Sequence, residues 1–124
     1  MIPDIATFEA AIAQTVDQGG GTFYPNSDPF TAPSGYAVGI GGISLDPATT
    51  GPFRLRHAFR KVHHDFGGSL VGTWLDGDKL YVDAVAWFPA GERVTAIAAA
   101  RIYNQLAIYD FAAGESIILA DLEE

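Results

Sequence analysis

The most constraining feature of the chain is a pair of apolar stretches that meet at an Asp-Gly dipeptide. The segment SLVGTWLDGDKLYVDAVAWF, residues 69–88, is rich in β-branched and aromatic residues on both sides of Asp76 and Gly77. An Asp-Gly dipeptide between two such runs is a strong short-range signal for a β-hairpin, because glycine accepts the positive φ of a tight turn. The segment therefore predicts two antiparallel strands.

Three other segments have the apolar spacing of amphipathic helices. The first, residues 4–18, begins at a candidate N-cap, Asp4, and is followed by three glycines that end it. Its predicted apolar stripe consists of Ile5, Phe8, Ile12 and Val16. The second helix is predicted over residues 53–66, and its apolar face consists of Leu55, Phe59, Val62 and Phe66. The third lies within the alanine-rich segment 92–105, which permits close packing on a sheet.

The remaining segments favour strands and one long loop. GTFYP, residues 21–25, predicts a short strand, and LAIYDFAAGESIIL, residues 106–119, predicts a second hairpin around Ala113 and Gly114. YAVGIGGISL, residues 36–45, predicts a buried strand whose glycines indicate a bulge or a close backbone approach. Between them, the prolines and turn formers of residues 25–35 predict the longest loop.

The order of these segments predicts the fold class. Helix, two strands, helix, two strands, helix, two strands is typical of an α+β protein with an antiparallel sheet. We expect a single domain, residues 1–124, in which three helix-plus-hairpin units build a sheet of about six strands with the helices packed on it.

Charge and cysteine content limit the function. The chain has no cysteine, which excludes disulfides, thiolate nucleophiles and cysteine-ligated metals. A formal net charge of -8 disfavours nucleic-acid binding, which relies on Lys and Arg, and favours docking on a basic surface. The chain has neither a membrane-spanning apolar run nor a secretion signal, so we expect a soluble, intracellular protein with no membrane partner.

Familiar catalytic motifs are missing from the sequence. VGIGG, residues 38–42, continues as a strand and does not open a helix, so it is a poor match to a dinucleotide-binding loop. Neither GxSxG nor a Walker GK[ST] motif occurs. We therefore expect no cofactor and no catalytic residue of these classes.

The second helix collects most of the positive charge. All three histidines and four of the seven Lys and Arg residues lie between residues 54 and 64. A helical wheel places His57 and His64 opposite the apolar face and His63 near its edge. A metal site is not expected, because His57 and His64 are about 10 Å apart along the axis and consecutive His-His-Asp side chains diverge. The helix has either a solvated basic face or an anion-binding surface, made of Arg56, His57, Arg60, Lys61 and His64.

Several acidic and aromatic residues are candidates for contact with a partner protein. These predicted partner-binding residues are Asp28 and Phe30 in the long loop and Asp76 and Asp78 at the hairpin turn. Phe30 could equally fill a packing gap. Asp76, Asp78 and Asp83 lie near two tryptophans, a combination found in sugar-handling sites, but the turn explains the first two. We expect a structural role for Asp83, either solvated or paired with Arg101.

Three segments resemble small domains carried by bacteriophages and other bacterial mobile elements. They are GGTFYPNSDPFTAPSGYAVGI, GTWLDGDKLYVDAVAWF and RIYNQLAIYDFAAGESI, which together span most of the chain outside the first two helices. The resemblance implies an accessory protein in the cytoplasm of a bacterial host cell. Small acidic proteins from that setting are often inhibitors or modulators of host proteins, including defence systems.

We therefore expect a non-enzymatic protein that binds and modulates a bacterial or phage protein through its acidic surface, the loop of residues 25–35, or both. The alternatives are a module that binds a small anionic, nucleotide-like ligand, and an enzyme that uses His57, His63 and His64 with a distant carboxylate such as Asp83. The sequence also leaves a homo-oligomer open.

Overall fold

In a computed structural model, which describes residues 5–122, the chain forms three α-helices and six strands. The helices are α1 (Ile5–Gln18), α2 (Pro52–Phe66) and α3 (Arg93–Ile102). The strands are β1 (Gly20–Phe23), β2 (Tyr36–Leu45), β3 (Leu70–Asp76), β4 (Lys79–Phe88), β5 (Ala107–Asp110) and β6 (Glu115–Ile118). The predicted N-cap, Asp4, lies outside the described residues.

All six strands belong to one antiparallel sheet, in the order β1-β3-β4-β2-β5-β6. The α+β prediction, with helices packed on an antiparallel sheet, is confirmed. Strands β3 and β4 form the predicted hairpin, and so do β5 and β6. Strands β1 and β2 do not form the hairpin that was predicted for them. Strand β1 lies at the edge beside β3, whereas β2 lies between β4 and β5. The long loop after β1 allows this separation, and the apolar start of β2 gains more burial inside the sheet.

The three helices cover one face of the sheet, called here the helix face. Helices α1 and α2 bury Phe8, Phe59 and Val62 against Val71 and Val82 of the hairpin. Helix α3 packs its small residues on β2 and β5, through a cluster that contains Val38, Ala96, Ala100 and Ile108.

Two residues of the predicted helical stripes lie elsewhere. Val16 is 65% exposed, because α1 turns Ala11 and Thr15 toward the sheet in its place. Phe66, at the end of α2, is 44% exposed, and its ring lies over Gly41. The other three residues of the predicted α2 face, Leu55, Phe59 and Val62, are buried as predicted.

The two predicted backbone irregularities are present. Gly77 opens the β3–β4 turn with a φ of 61°, a conformation that residues with a Cβ rarely adopt. The β2–β4 ladder shifts register between Gly39 and Gly41, which confirms the predicted bulge in β2.

The opposite face of the sheet is only partly covered. Phe30, from the loop of residues 25–35, and Phe111 pack on Ala37, Leu70 and Val85 at one end of this face. No element packs on it toward the β3–β4 turn in the hydrophobic clusters of the described residues. The long loop therefore covers one end of this sheet face, and the end near the β3–β4 turn stays open to solvent. Within residues 5–122, no helix combines the length and apolar character that a bilayer crossing requires.

Candidate functional site

The uncovered part of the sheet presents one acid among small and aromatic residues. In the strand register, Gly72 and Gly42 lie directly opposite Asp83 on its two sides, and Trp74 and Ser44 lie opposite Tyr81 in the same way. Directly opposed residues of antiparallel strands point to the same face. We call this surface the Asp83 face and define it by Gly42, Ser44, Gly72, Trp74, Tyr81 and Asp83.

Asp83 is a half-buried carboxylate that has no partner among the residues that the structure describes. Among residues 5–122, no side chain forms a hydrogen bond or an ion pair with it. Burial therefore acts alone, and it raises the pKa of Asp83 to about 6. A desolvated carboxylate at a protein surface is a recognised mark of a functional position.

The two glycines beside Asp83, Gly42 and Gly72, occupy positions where a larger side chain would be crowded by its neighbours. A Cβ on Gly42 would collide with Oδ1 of Asp83 and with the carbonyl oxygen of Val82. A Cβ on Gly72 would lie 3.0 Å from the Val85 side chain. Neither glycine has a positive φ, so the backbone conformation does not require them. They leave the flanks of the Asp83 carboxylate clear of other side chains.

Two aromatic rings stand beside the acid. The rings of Trp74 and Tyr81 are tilted by 36°, with centroids 6.0 Å apart, and Trp74 is 48% exposed. Asp83 follows Tyr81 by two residues on the same strand, a spacing of about 7 Å. The face therefore offers an aromatic surface and a carboxylate within the span of one long side chain.

The structure separates the four predicted partner-binding residues. Asp76 lies opposite Lys79 at the turn end of the same sheet face, so it extends the Asp83 face. Asp78 lies in the adjacent turn and is exposed. Asp28 is exposed beyond the opposite end of β3, where its carboxylate accepts a hydrogen bond of 3.1 Å from the Asn26 side chain. Phe30 is half-buried.

Phe30 belongs to a chain of aromatic contacts that fixes the long loop. Its ring lies 5.6 Å from Tyr24 and 5.5 Å from Phe111. The loop is also anchored at Ser27, whose buried hydroxyl donates to Oγ1 of Thr7 at 2.6 Å. Partner contact by Phe30 stays a prediction, and its packing role is what the structure shows.

Of the two alternatives for Asp83, the pairing with Arg101 is wrong. Arg101 is exposed on α3, which packs on the helix face, whereas Asp83 points to the opposite face. The sheet lies between the two side chains. Between residues 5 and 122, no partner therefore offsets the desolvation of Asp83.

The basic face of α2 neutralises part of its own charge. Lys61 donates to Asp65 at 3.0 Å, and His64 Nδ1 lies 3.1 Å from the other carboxylate oxygen. The hydrogen bonds from His64 and Lys61 lower the pKa of Asp65. Of the other predicted anion-binding residues, Arg56 lies over the ring of Phe53 at 5.5 Å, and His57 and Arg60 are exposed. Anion binding stays a prediction, but Asp65 competes with any anion for Lys61 and His64.

The three histidines and Asp83 do not converge. Helix α2 packs on the helix face, and all three of its histidines are exposed to solvent. Asp83 faces the other way, so the arrangement offers no shared site for acid–base chemistry. Within the described range 5–122, no group of three His, Asp or Glu side chains could hold a metal ion.

One sequence feature indicated this site, namely the glycines inside the predicted strands, but it did not identify the side chain involved. Glycines inside strands indicate a close approach, and this was expected for residues 36–45. Only the pairing of β2, β3 and β4 shows that the approaching group is the Asp83 carboxylate.

The chain matches no protein-family model, no curated protein and no solved structure.

Proposed function

We propose that this chain is a non-enzymatic accessory protein of a bacteriophage or another mobile element, which binds and modulates a bacterial host protein. The contact surface is the Asp83 face together with Asp76 at its turn end. The mobile-element setting comes from the resemblance of the GGTFYP, GTWLD and NQLAIYD segments, and the mode of action comes from the geometry of the face.

The observation that carries the proposal is the unpartnered carboxylate of Asp83. An acid whose pKa is raised to about 6 by burial opposes folding when it is ionised at neutral pH. Nothing in the described chain compensates it, and neutral residues of similar size would fit the same position. Functional sites commonly retain groups that cost stability, because the ligand supplies the missing interaction.

The surroundings of Asp83 are those of a protein-binding surface. Exposed tryptophan and tyrosine residues dominate the binding energy of many interfaces, and the Asp83 face has Trp74 and Tyr81 side by side. Among residues 5–122, no histidines converge on this surface, and no group of three His, Asp or Glu side chains could hold a metal ion. A net charge of -8 would steer the protein toward a basic partner.

Affinity capture from bacterial lysate tests the proposal. The immobilised wild-type protein is compared with W74A and D83N, and with two matched controls. Y103A removes an aromatic side chain of equal exposure, 49%, after α3, and D17N removes an exposed acid from α1. We expect one or more proteins to be retained by the wild type and both controls but lost with W74A and D83N.

Retention that is unaffected by W74A and D83N, or a complete lack of retained protein at low and moderate salt, would refute the proposal. Each variant is first checked by circular dichroism and thermal unfolding, so that a loss of capture reports on the surface and not on the fold. A captured protein is then purified, and its affinity is measured by calorimetry against the same set of variants.

A further inference from the structure

The chemistry of the Asp83 face limits what can occupy it. A half-buried carboxylate without a donor in the described chain is best satisfied by a positively charged donor, which restores the lost solvation and keeps the acid ionised. The glycines on both sides leave its flanks open to such a group. An anionic ligand would be repelled by both Asp83 and Asp76.

The aromatic pair distinguishes between the two cationic side chains. A guanidinium group is planar and weakly hydrated, so it stacks on an aromatic ring while its edge forms paired hydrogen bonds with a carboxylate. An ammonium group is compact and strongly hydrated. It has no planar surface with which to stack on a ring while it forms paired hydrogen bonds with a carboxylate. Trp74, with its ring 48% exposed, provides the stacking surface.

We infer that the Asp83 face binds an arginine side chain of the partner protein, with the guanidinium group stacked on Trp74 and hydrogen-bonded to the Asp83 carboxylate. The inference rests on the proposed function and specifies the chemistry of the partner. Arginine is enriched at the centre of protein interfaces, and the acidic charge of this chain favours the approach of a basic segment.

Few other ionisable groups share the face. They are Tyr81 beside Asp83, and Asp76 and Lys79 at the turn end of the strands. The opposed positions on β2 are Gly42 and Ser44, and both are uncharged. The loop residues that pack on the far end of the face, Phe30 and Phe111, are also uncharged. Asp83 is therefore the group whose titration should control binding between about pH 4 and pH 7.

Nuclear magnetic resonance with a short peptide tests the inference directly. The probe is an acetylated and amidated pentapeptide, Gly-Ser-Arg-Ser-Gly, compared with versions that carry citrulline or lysine in place of arginine. The chain has two tryptophans. The Trp74 indole Nε1–H signal reports binding, and Trp87 serves as an internal reference, because its indole donates to the Ser34 carbonyl oxygen at 3.3 Å.

We expect the arginine peptide to shift the Trp74 signal, with weaker binding by the lysine peptide and none by the citrulline peptide. D83N should weaken binding of the arginine peptide roughly tenfold or more. W74A, in which the backbone amide signal of Gly42 replaces the lost indole signal as the reporter, should weaken it by about two- to fivefold. Lowering the pH from 7.5 to 4.5 should weaken it by roughly tenfold or more, because the carboxylate must ionise to bind.

A tethered arginine gives a second test that does not depend on weak peptide binding. Ser44 is exposed and lies diagonally across the strands from Asp83 on the same face. In S44R, the new guanidinium group can reach the carboxylate, so the pKa of Asp83 should fall toward its usual value and the peptide should no longer bind. The control S44Q adds a side chain of comparable reach without charge and should leave the raised pKa of Asp83 in place.

The outcomes separate this inference from the proposed function. Equal binding of the arginine and citrulline peptides, binding that D83N leaves unchanged, or no binding of the arginine peptide would overturn the inference. A Trp74 shift caused by a neutral oligosaccharide in place of the peptide would overturn it as well. If capture from lysate still depends on Asp83 in any of these cases, the proposed function stands while the arginine inference fails.

Discussion

Asp83 and Gly42 lie directly opposite each other in the β2–β4 ladder, and Oδ1 of Asp83 occupies the space that a Cβ on residue 42 would need. The same acid faces Gly72 across β3. The Asp83 carboxylate, flanked by glycines on both neighbouring strands, loses solvent without gaining a partner in the described part of the chain. This relationship has consequences for stability, for pH dependence and for binding.

The first consequence is that Asp83 destabilises the fold at neutral pH. Its pKa in the folded protein is raised to about 6, above the usual value of an unfolded chain, so the folded state binds the proton more tightly. Stability therefore falls as the pH rises from about 4 to about 6 and stays lower above that range. We expect D83N to be more stable than the wild type by about 1–3 kcal/mol at pH 7.5.

Urea unfolding at pH 7.5 and at pH 4 measures this effect. The advantage of D83N should largely disappear at pH 4, where the wild-type carboxyl is protonated in the folded state. D17N, which removes an exposed acid, is the control and should change stability little at either pH. An equal or lower stability of D83N at pH 7.5 would contradict the assignment.

The second prediction concerns the space at residue 42. G42A should lower the free energy of unfolding by about 1–3 kcal/mol or more, because the added methyl group collides with backbone as well as with Asp83. G91A is the matched control, since a Cβ there meets nothing within 4 Å and its φ is not positive. Chemical denaturation of the two variants would show whether crowding at residue 42, and not the conformational entropy of glycine, accounts for the lost stability of G42A.

A buried pair of threonines provides the third prediction. The Thr15 hydroxyl donates to the Ala11 carbonyl oxygen at 2.8 Å and lies 2.7 Å from the Thr73 hydroxyl, which joins α1 to β3. T15V leaves the Thr73 hydroxyl without this partner and should cost about 1–3 kcal/mol. The double variant T15V/T73V removes both hydroxyls and should recover most of that loss. Additive costs in a double-mutant cycle would show that the hydroxyl pair does not link the two elements.

The fourth prediction concerns Asp65 on α2. Hydrogen bonds from His64 and Lys61 hold the pKa of Asp65 below its usual value. We expect the pKa of Asp65 to rise toward that value in H64Q and in K61Q. H57Q, which alters an exposed histidine farther along the helix, should leave it unchanged. Carbon-13 pH titration of the side-chain carboxyl measures each case, and an unaltered pKa in H64Q would refute the contact.

Much of the fold could be predicted from local sequence patterns. The Asp-Gly turn predicted the β3–β4 hairpin, and the glycines of residues 36–45 predicted the bulge in β2, because each depends on backbone conformations that few residues adopt. The predicted apolar face of α2 was largely correct, since three of its four residues are buried. Val16 was misplaced because α1 turns Ala11 and Thr15 toward the sheet, where the Thr15 hydroxyl lies 2.7 Å from the Thr73 hydroxyl.

The site was less predictable, because its members are far apart in sequence. Asp83 was placed in the correct strand of the predicted hairpin, but the partner considered for it, Arg101, lies beyond the opposite face of the sheet. Asp76 lies on the Asp83 face because the β3–β4 hairpin, a local structure, brings it there. Asp28 lies at the other end of the sheet. The order of the strands, with β1 and β2 separated, could not be derived from the spacing of either strand.

The sequence by itself determined the helices, the strands, the two hairpin turns and the acidic character of the protein, because these depend on neighbouring residues and on composition. The tertiary structure alone decided that Gly42, Gly72, Trp74 and Asp83 share one surface, because antiparallel pairing brings distant segments into register. It also decided that Asp83 has no partner within residues 5–122. Burial of a charge depends on everything packed around it, and no local pattern contains that information.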